Sequence, residues 1–292
     1  MLKNKKYPAL SATFGAIIIW ASLPTLVKLI VTQVNVSFFL VQRFFISFLI
    51  LCWLTPRIIK KLKLVDSKIL TGFMIALGAN FYLQTYALSQ VPAGWYVMIF
   101  ALNPILTLLL LRHNITLTTW VGIALAVMGT YLFSIAQQGY LSTISPLSIA
   151  ALLGGMFTWS IYSVLVKKLH AIYSDTELTG LSSLVALITS LLIWSISGFP
   201  VDAGFIKYLP VTLIIGLIVP VAYFLYSYGM RKLPVITVNA QYIEPIFSLF
   251  FASLILHENL NRNQYLASLI VIAGTILSSE IFKAKLVSYE HK

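Results

Sequence analysis

Asn239-Ala-Gln-Tyr-Ile-Glu-Pro-Ile-Phe-Ser-Leu-Phe-Phe-Ala-Ser-Leu-Ile-Leu-His-Glu258 sets Glu244 directly before Pro245, inside a run that is otherwise almost wholly apolar. Glu244 is the only carboxylate well inside any apolar run of the chain. Helical steps of three and four place Thr237, Gln241, Glu244 and Ser248 on one face. Tyr242, Ile243, Phe247, Leu249 and Phe250 fall on the other, suited to lipid or to helix packing. An ionisable group at membrane depth is expensive and marks a functional site by default. The stretch predicts a membrane transporter whose pathway follows the polar face.

The rest of the chain supports a membrane reading. It has 292 residues, 59% hydrophobic and 10% charged, with a mean hydropathy of +0.92, too apolar for a soluble domain. The lone cysteine, Cys52, excludes a disulfide framework or a cysteine metal cluster. About twenty apolar residues cross a bilayer as a helix. Such runs recur at 9–30, 37–55, 69–89, 93–111, 117–136, 147–166, 178–196, 210–229, 235–256 and 264–282, which makes ten spans. The first follows Lys3, Lys5 and Lys6, lacks a small-residue cleavage site and is expected to be retained. The connections are short, the longest polar ones being 137–146, 167–177 and 197–209.

Lysine and arginine distribution orients the spans. With the N-terminus inside, 16 of the 20 fall in cytoplasmic segments and only Lys28, Lys207 and Arg262 in outer ones, while Arg43 lies within the second span. Both termini are therefore expected in the cytoplasm, with the chain in the cytoplasmic (inner) membrane. The net charge of +12 is a topology signal and calls for no nucleic acid.

The sequence also repeats itself. Tyr86-Ala-Leu-Ser-Gln-Val-Pro92 matches Tyr228-Gly-Met-Arg-Lys-Leu-Pro234, and Asn103-Pro104 in the next span corresponds to Glu244-Pro245. Gly122 to Gly129 echoes Ala267 to Gly274, and Gly15 to Lys28 with Trp20 matches Gly154 to Lys167 with Trp159. Each copy has five spans, an odd number, so the copies insert in opposite orientations. Inverted repeats with a midplane site are a common plan among secondary transporters.

With these features the sequence resembles the drug/metabolite transporter superfamily, EamA type. The resemblance rests on the ten spans and the duplication, Trp20 and Trp159, and Ala87-Leu88 ahead of Pro92. Tyr242-Ile-Glu-Pro245, Leu256-His-Glu-Asn-Leu260 and Gly274 complete it. The first copy departs from the pattern: Leu111-Arg-His-Asn-Ile115 holds no glutamate, and the stretch from its proline to Gly129 is four residues shorter. The resemblance implies an all-α membrane protein of two inverted five-helix repeats, 1–136 and 147–285, with a central cavity. It also implies export or exchange of small metabolites, amino acids or drug-like compounds, without naming the substrate.

The candidate substrate contacts are Trp20, Arg43, Tyr82, Gln84, Trp95, Asn103, Trp159, Tyr162, Tyr223, Gln241 and Glu244. Glu244 is either a proton acceptor and coupling residue, or the structural partner of Arg43. Arg43 is either a carboxylate contact or a side chain snorkelling to the interface. Intramembrane amides line a cavity or join helices: Gln84 and Asn103 are read as lining, Asn80 as packing. Trp95, Ile99, Asn103 and Thr107 are placed on one face. Tryptophan and tyrosine serve interfacial belts or cavity walls, and Trp20 and Trp159, near span centres, favour walls able to hold an organic cation. Prolines 24, 104, 220 and 245 free backbone carbonyls where kinks form. Glu258 is expected to organise the turn before the tenth span, capped from Asn261 or Asn263. The small faces Thr179, Ser182, Ala186, Thr189 and Gly122, Gly129, Gly274 are read as tight packing, compatible with a homodimer.

The histidines, His113, His170, His257 and His291, stand in loops or at ends, and no nucleotide loop, metal pair or acid dyad accompanies them. An enzyme is therefore not expected, and no cofactor is implied. The function predicted is secondary transport of a small metabolite (an amino acid, an amine or a related solute) by alternating access, in the direction of efflux. Proton coupling through Glu244 and uncoupled exchange of a nucleoside- or cofactor-like metabolite both stay open, as does a non-transporting receptor or scaffold.

Overall fold

The computed structural model describes residues 3–110, 116–136, 144–258 and 260–278. Residues 111–115 with Arg112 and His113, 137–143, Asn259, and the C-terminal residues with Lys283, Lys285, His291 and Lys292 lie outside them. Among the described residues there are helices and turns and no strand.

Each apolar run becomes a span, and local chemistry sets most ends. The first span is Lys3–Val31. Asn35 accepts from the backbone N–H of Ser37 at 2.9 Å and opens the second, Val36–Leu51. That span continues beyond its predicted end through a turn at Cys52–Leu54 into a short helix, Thr55–Leu62, which carries Arg57, Lys60 and Lys61. The third span, Ser67–Gln90, is capped by Asp66, which accepts from Lys68 N at 2.7 Å.

The fourth span is broken. Ala93–Phe100 and Asn103–Leu110 are separate helical pieces joined at Ala101–Leu102. The ninth repeats this break, running Pro234–Ala240, a tight turn at Gln241–Ile243, then Glu244–Leu256. In both, the central proline sits in the first turn of the second piece, where a missing N–H costs nothing. The ninth span ends at His257, whose φ of 54° is left-handed.

The remaining spans are continuous. The fifth is Leu117–Ala136, and the sixth, Pro146–Leu169, is capped by Ser145. The seventh, Asp175–Ile196, opens on a capping box between Ser174 and Glu177. The eighth, Phe205–Lys232, starts five residues ahead of its predicted boundary and takes Pro210 into its first turns. Asn261 caps the tenth, Arg262–Ser278, accepting from Gln264 N while Gln264 Oε1 accepts from Asn261 N. Five of the described helices, at Tyr7–Val31, Val36–Leu62, Pro146–Leu169, Asp175–Ile196 and Phe205–Lys232, are singly long and apolar enough to cross a membrane.

Packing follows the duplication. The first span packs on the eighth and the sixth on the third; the fourth packs on the sixth and the ninth on the first. The second packs on the seventh and the fifth on the tenth. Exchanging each span for the one five places later maps this set of pairings onto itself, as a two-fold relation between inverted repeats requires. The fifth–tenth pair is the tightest approach: a Cβ on Gly122 would meet Ser278 N at 2.4 Å, and one on Gly274 would meet Ala126 N at 2.4 Å. The glycine faces of these two spans are therefore used within the chain. Thr189 of the seventh span packs against Gly78 in the same manner, with Cγ2 at 2.6 Å from a Cβ built there.

Candidate functional site

The spans enclose a cavity with about 900 Å³ of empty space, part of it open to the outside. Its walls come from the first span (Trp20, Leu23, Pro24, Val27), the second (Arg43) and the third (Phe81, Gln84, Thr85, Leu88). The fourth adds Tyr96, Val97, Phe100, Ala101 and Asn103; the sixth, Trp159; the eighth, Tyr223; the ninth, Gln241, Glu244 and Pro245. In the first and third spans these residues begin near the helix centre and run toward the Val31 and Gln90 ends. The cavity thus occupies the middle of the bundle and extends toward that end.

The floor is aromatic. Trp20 meets Trp159 edge to face, with centroids 5.1 Å apart, Tyr223 at 6.0 Å and Tyr226 at 4.8 Å. Tyr162 packs on Trp159 at 5.1 Å and Tyr223 at 5.8 Å. Hydrogen bonds tie this layer down. Tyr226 donates to Ser163 Oγ at 3.0 Å, and Thr13 and Thr237 share a bond of 3.1 Å between the first and ninth spans.

The polar groups divide into satisfied and unsatisfied ones. Tyr96 donates to Gln84 Oε1 at 2.8 Å, joining the fourth span to the third. Asn103 donates to Met156 O at 3.2 Å, and its Oδ1 accepts from Thr107 and Ser160, both at 3.1 Å. Arg43, only 6% exposed, holds its guanidinium over the rings of Phe44 and Phe81, 5.0 and 5.6 Å from their centroids. Its Nε has no hydrogen-bond partner, and no carboxylate of a described residue lies within 4 Å of it. Glu244 likewise has no ion-pair partner among the described residues, so the structural pair with Arg43 is not made. Gln241 Nε2 is also unpartnered. Glu244 stands in the first turn of its half-helix, where the aligned peptide dipoles favour an anion. The matching first-turn position in the other repeat is Asn103.

Of the sequence-predicted contacts, the structure brings Trp20, Arg43, Gln84, Asn103, Trp159, Tyr223, Gln241 and Glu244 onto the cavity wall. Three stand off it. Tyr162 lies behind Trp159, with its hydroxyl 3.4 Å from Ser182 Oγ. Tyr82 stacks on Tyr86 on the neighbouring face of the third span. Trp95 is buried with Nε1 unpartnered, one residue out of phase with Tyr96, which does face the cavity. On a helix Tyr96, two turns before Asn103, falls about 20° from it and Trp95 about 80° away, so repeated steps of four had drifted off the cavity face by Trp95. Tyr96, Phe81, Thr85 and Phe100 were missed. Gln84 as an anchor would have pointed to Phe81 and Leu88 by steps of three and four, and the seven-residue step back from Asn103 would have pointed to Tyr96.

Two charges at the Val31 and Gln90 end are tied to backbone. Lys28, counted with the outer segments, donates to Leu88 O at 2.9 Å and Val91 O at 2.8 Å. Glu258 accepts from the backbone N–H groups of Ala93 and Gly94, both at 3.1 Å. It thus caps the fourth span, while Asn261 alone performs the capping expected at the tenth. Asn80 is a packing group, donating to Gly155 O at 2.8 Å.

The EamA-like transporter family model matches residues 8–135 and again 146–280. A protein of Clostridium kluyveri called an uncharacterized transporter is 24% identical over 235 residues, which is 75% of each chain. A crystal structure of a protein 16% identical to this one superposes with a TM-score of 0.67, covering 96% of this chain and 98% of that one, a likeness of fold alone. With two family matches laid end to end over a helical bundle of apolar spans, the chain belongs to the EamA-like transporter family and is an integral membrane protein.

Proposed function

We propose that this protein is a secondary transporter that moves a small metabolite, an amino acid, an amine or a related solute, out of the cell by alternating access. The observation that carries this reading is the mid-bundle cavity, walled by both repeats, extending toward one end and floored by the aromatic layer around Trp20 and Trp159. The repeats, 1–136 and 147–285, are the bodies that rock about this site. The broken fourth and ninth spans place half-helix starts, Asn103 and Glu244, at its centre, where unwound backbone serves substrates in transporters built this way. The distribution of lysine and arginine supports a cytoplasmic-membrane location with both termini inside. On that orientation the cavity extends toward the outer side of the membrane and its aromatic floor lies toward the inner side.

Glu244 is the coupling residue of this proposal, a carboxylate on the cavity wall with no fixed cation to hold it ionised. Purified protein in proteoliposomes tests both levels, with flux of amino acids, amines and nucleosides followed with and without a pH gradient. Gradient-driven flux in the native protein that is lost in Glu244→Gln supports the coupled reading. Equal flux with and without the gradient removes coupling and leaves a facilitator or exchanger. No flux of any of these solutes removes the transporter reading.

A further inference from the structure

The connector between the second and third spans has two unlike faces. Leu54, Ile58 and Val65 are buried, and a Cβ on Gly180 of the seventh span would meet Ile58 Cδ1 at 3.0 Å. Lys61 turns the same way and is satisfied, its Nζ 2.7 Å from Glu177 Oε2 and donating to Ile172 O at 3.3 Å. The opposite face shows Arg57 and Lys60 to the outside, with Lys63 and Lys68 exposed just beyond. Trp53, Ile59 and Leu64 stand among these bases, 61%, 54% and 63% exposed. The sixth span extends the surface. Gly72 faces Leu165 and Asn80 bonds Gly155 O, so the third and sixth spans run antiparallel, and Lys68 comes level with the exposed Lys167 and Lys168. No carboxylate of a described residue lies within 4 Å of any of these six bases. The described carboxylates of this end are used elsewhere: Glu177 by Lys61, Asp175 by Arg231, and Asp66 as the cap of the third span.

Orientation in the membrane asks only for positive charge on the inner side. It does not ask for a tryptophan and two large aliphatic side chains exposed between the bases, a mixture that suits the boundary of headgroups and acyl chains. Helix length puts the segment at that depth. The second span, Val36–Leu51, has 16 residues, about 24 Å of helix against a hydrocarbon core of about 30 Å. It passes through Cys52–Leu54 into the basic helix with no loop between them, so Trp53 and Arg57 leave the hydrocarbon together. We propose that this surface is a binding site for an anionic phospholipid, in the inner leaflet on the orientation given above. The headgroup phosphate is held among the bases of the short helix and those at the ends of the third and sixth spans. Acyl chains lie along Ile59, Leu64 and Ile75. Ile75 is 65% exposed and stands seven residues from Lys68, on the same side of the third span. The lipid also relieves the mutual repulsion of the bases. The site is apart from the central cavity and independent of what that cavity carries.

The test titrates phosphatidylglycerol, with phosphatidylcholine as the neutral comparison, into the purified full chain in neutral detergent. Native mass spectrometry counts bound lipid, and the melting temperature is followed in parallel. Phosphatidylglycerol is expected to bind on the order of tenfold or more tighter and to raise the melting temperature, an advantage that shrinks as salt is added. A base near a membrane surface is worth about fivefold in affinity. Lys60→Gln and Lys63→Gln should therefore each weaken phosphatidylglycerol binding about fivefold, and the triple variant with Arg57→Gln on the order of a hundredfold. The single variants keep the test readable where the triple one fails to insert. Lys207→Gln removes an exposed base at the opposite end and should leave binding unchanged.

Equal binding of the two lipids, or native-like phosphatidylglycerol binding by Lys60→Gln and Lys63→Gln, would overturn the proposal. An equal loss in Lys207→Gln would do the same, since the effect would then be one of net charge and not of this surface. Glycerol 3-phosphate stabilising the protein as well as phosphatidylglycerol does would assign the bases to a soluble phosphate and overturn it too.

Discussion

Trp20 and Trp159 hold corresponding places in the two repeats and meet edge to face at the bundle centre, ring centroids 5.1 Å apart and planes at 89°. A sequence duplication thus ends in a physical contact across the pseudo-two-fold, and that contact forms the cavity floor. Both rings also touch Tyr226, at 4.8 and 5.7 Å. Trp20→Ala or Trp159→Ala should each cost about 3–5 kcal/mol, as large-to-small core changes do. The double variant should cost less than the sum by about 0.5–1.5 kcal/mol, the worth of an aromatic pair beyond its burial. Denaturant unfolding in mixed micelles gives the cycle, and strict additivity would deny the pair any energy of its own.

The fifth and tenth spans should tolerate no side chain at their crossing. A Cβ at Gly274 comes within 2.4 Å of Ala126 N, a backbone atom that cannot step aside, whereas one at Gly72 meets only Leu165 Cδ1 at 3.5 Å. Gly274→Ala should therefore destabilise by about 1–3 kcal/mol or more and Gly72→Ala by much less. Size-exclusion profiles and melting temperatures of the two variants separate these outcomes.

Glu258 reaches from the turn after the ninth span to the first N–H groups of the fourth. Removing a helix cap costs about 1 kcal/mol, up to about 2. Glu258→Ala should lower the melting temperature more than Glu258→Gln, which keeps one acceptor oxygen while losing the charge that suits a helix N-terminus. Equal melting temperatures for all three proteins would show that the cap carries no weight.

His170, just past the sixth span, predicts an acid-sensitive end of the bundle. Its Nε2 lies 2.8 Å from Ser227 Oγ and 3.5 Å from Asp175 Oδ1, and Asp175 is held by Arg231 Nε at 3.0 Å. Burial, and then the Arg231 charge, push its pKa down from 6.5 to about 4. Between those values the unfolded chain binds a proton that the folded chain does not. Its contribution is complete above pH 6.5 and is lost as the pH falls toward 4. His170→Gln should flatten this part of the stability profile, which melting temperatures between neutral pH and about pH 4.5 would show. Parallel profiles for the two proteins would refute it.

The spans, their order and the duplication were legible in the sequence because they depend on local properties: twenty-residue apolar runs, proline before a central turn, and charge at the ends. Glu244 stood out for the same reason, as a carboxylate among apolar neighbours. Which face of each span looks inward was less legible. A helix apolar all round hides its packed side, since lipid and protein interior both accept leucine and phenylalanine. Hence Tyr82 and Trp95 were read onto the cavity and Tyr96 was not.

Three matters were decided by the tertiary structure alone. The packing of the fourth span against its neighbours turned Tyr96 to the wall and buried Trp95 away from it. Glu258 found its partners at Ala93 and Gly94, far away along the chain, because the ninth span ends beside the start of the fourth. Arg43 and Glu244, whose pairing the sequence had left open, stand unpaired around one cavity. Sequence determined that each charge lies within the membrane. Their separation follows from how the second and ninth spans are held by their neighbours, a property of packing that no stretch of either span contains.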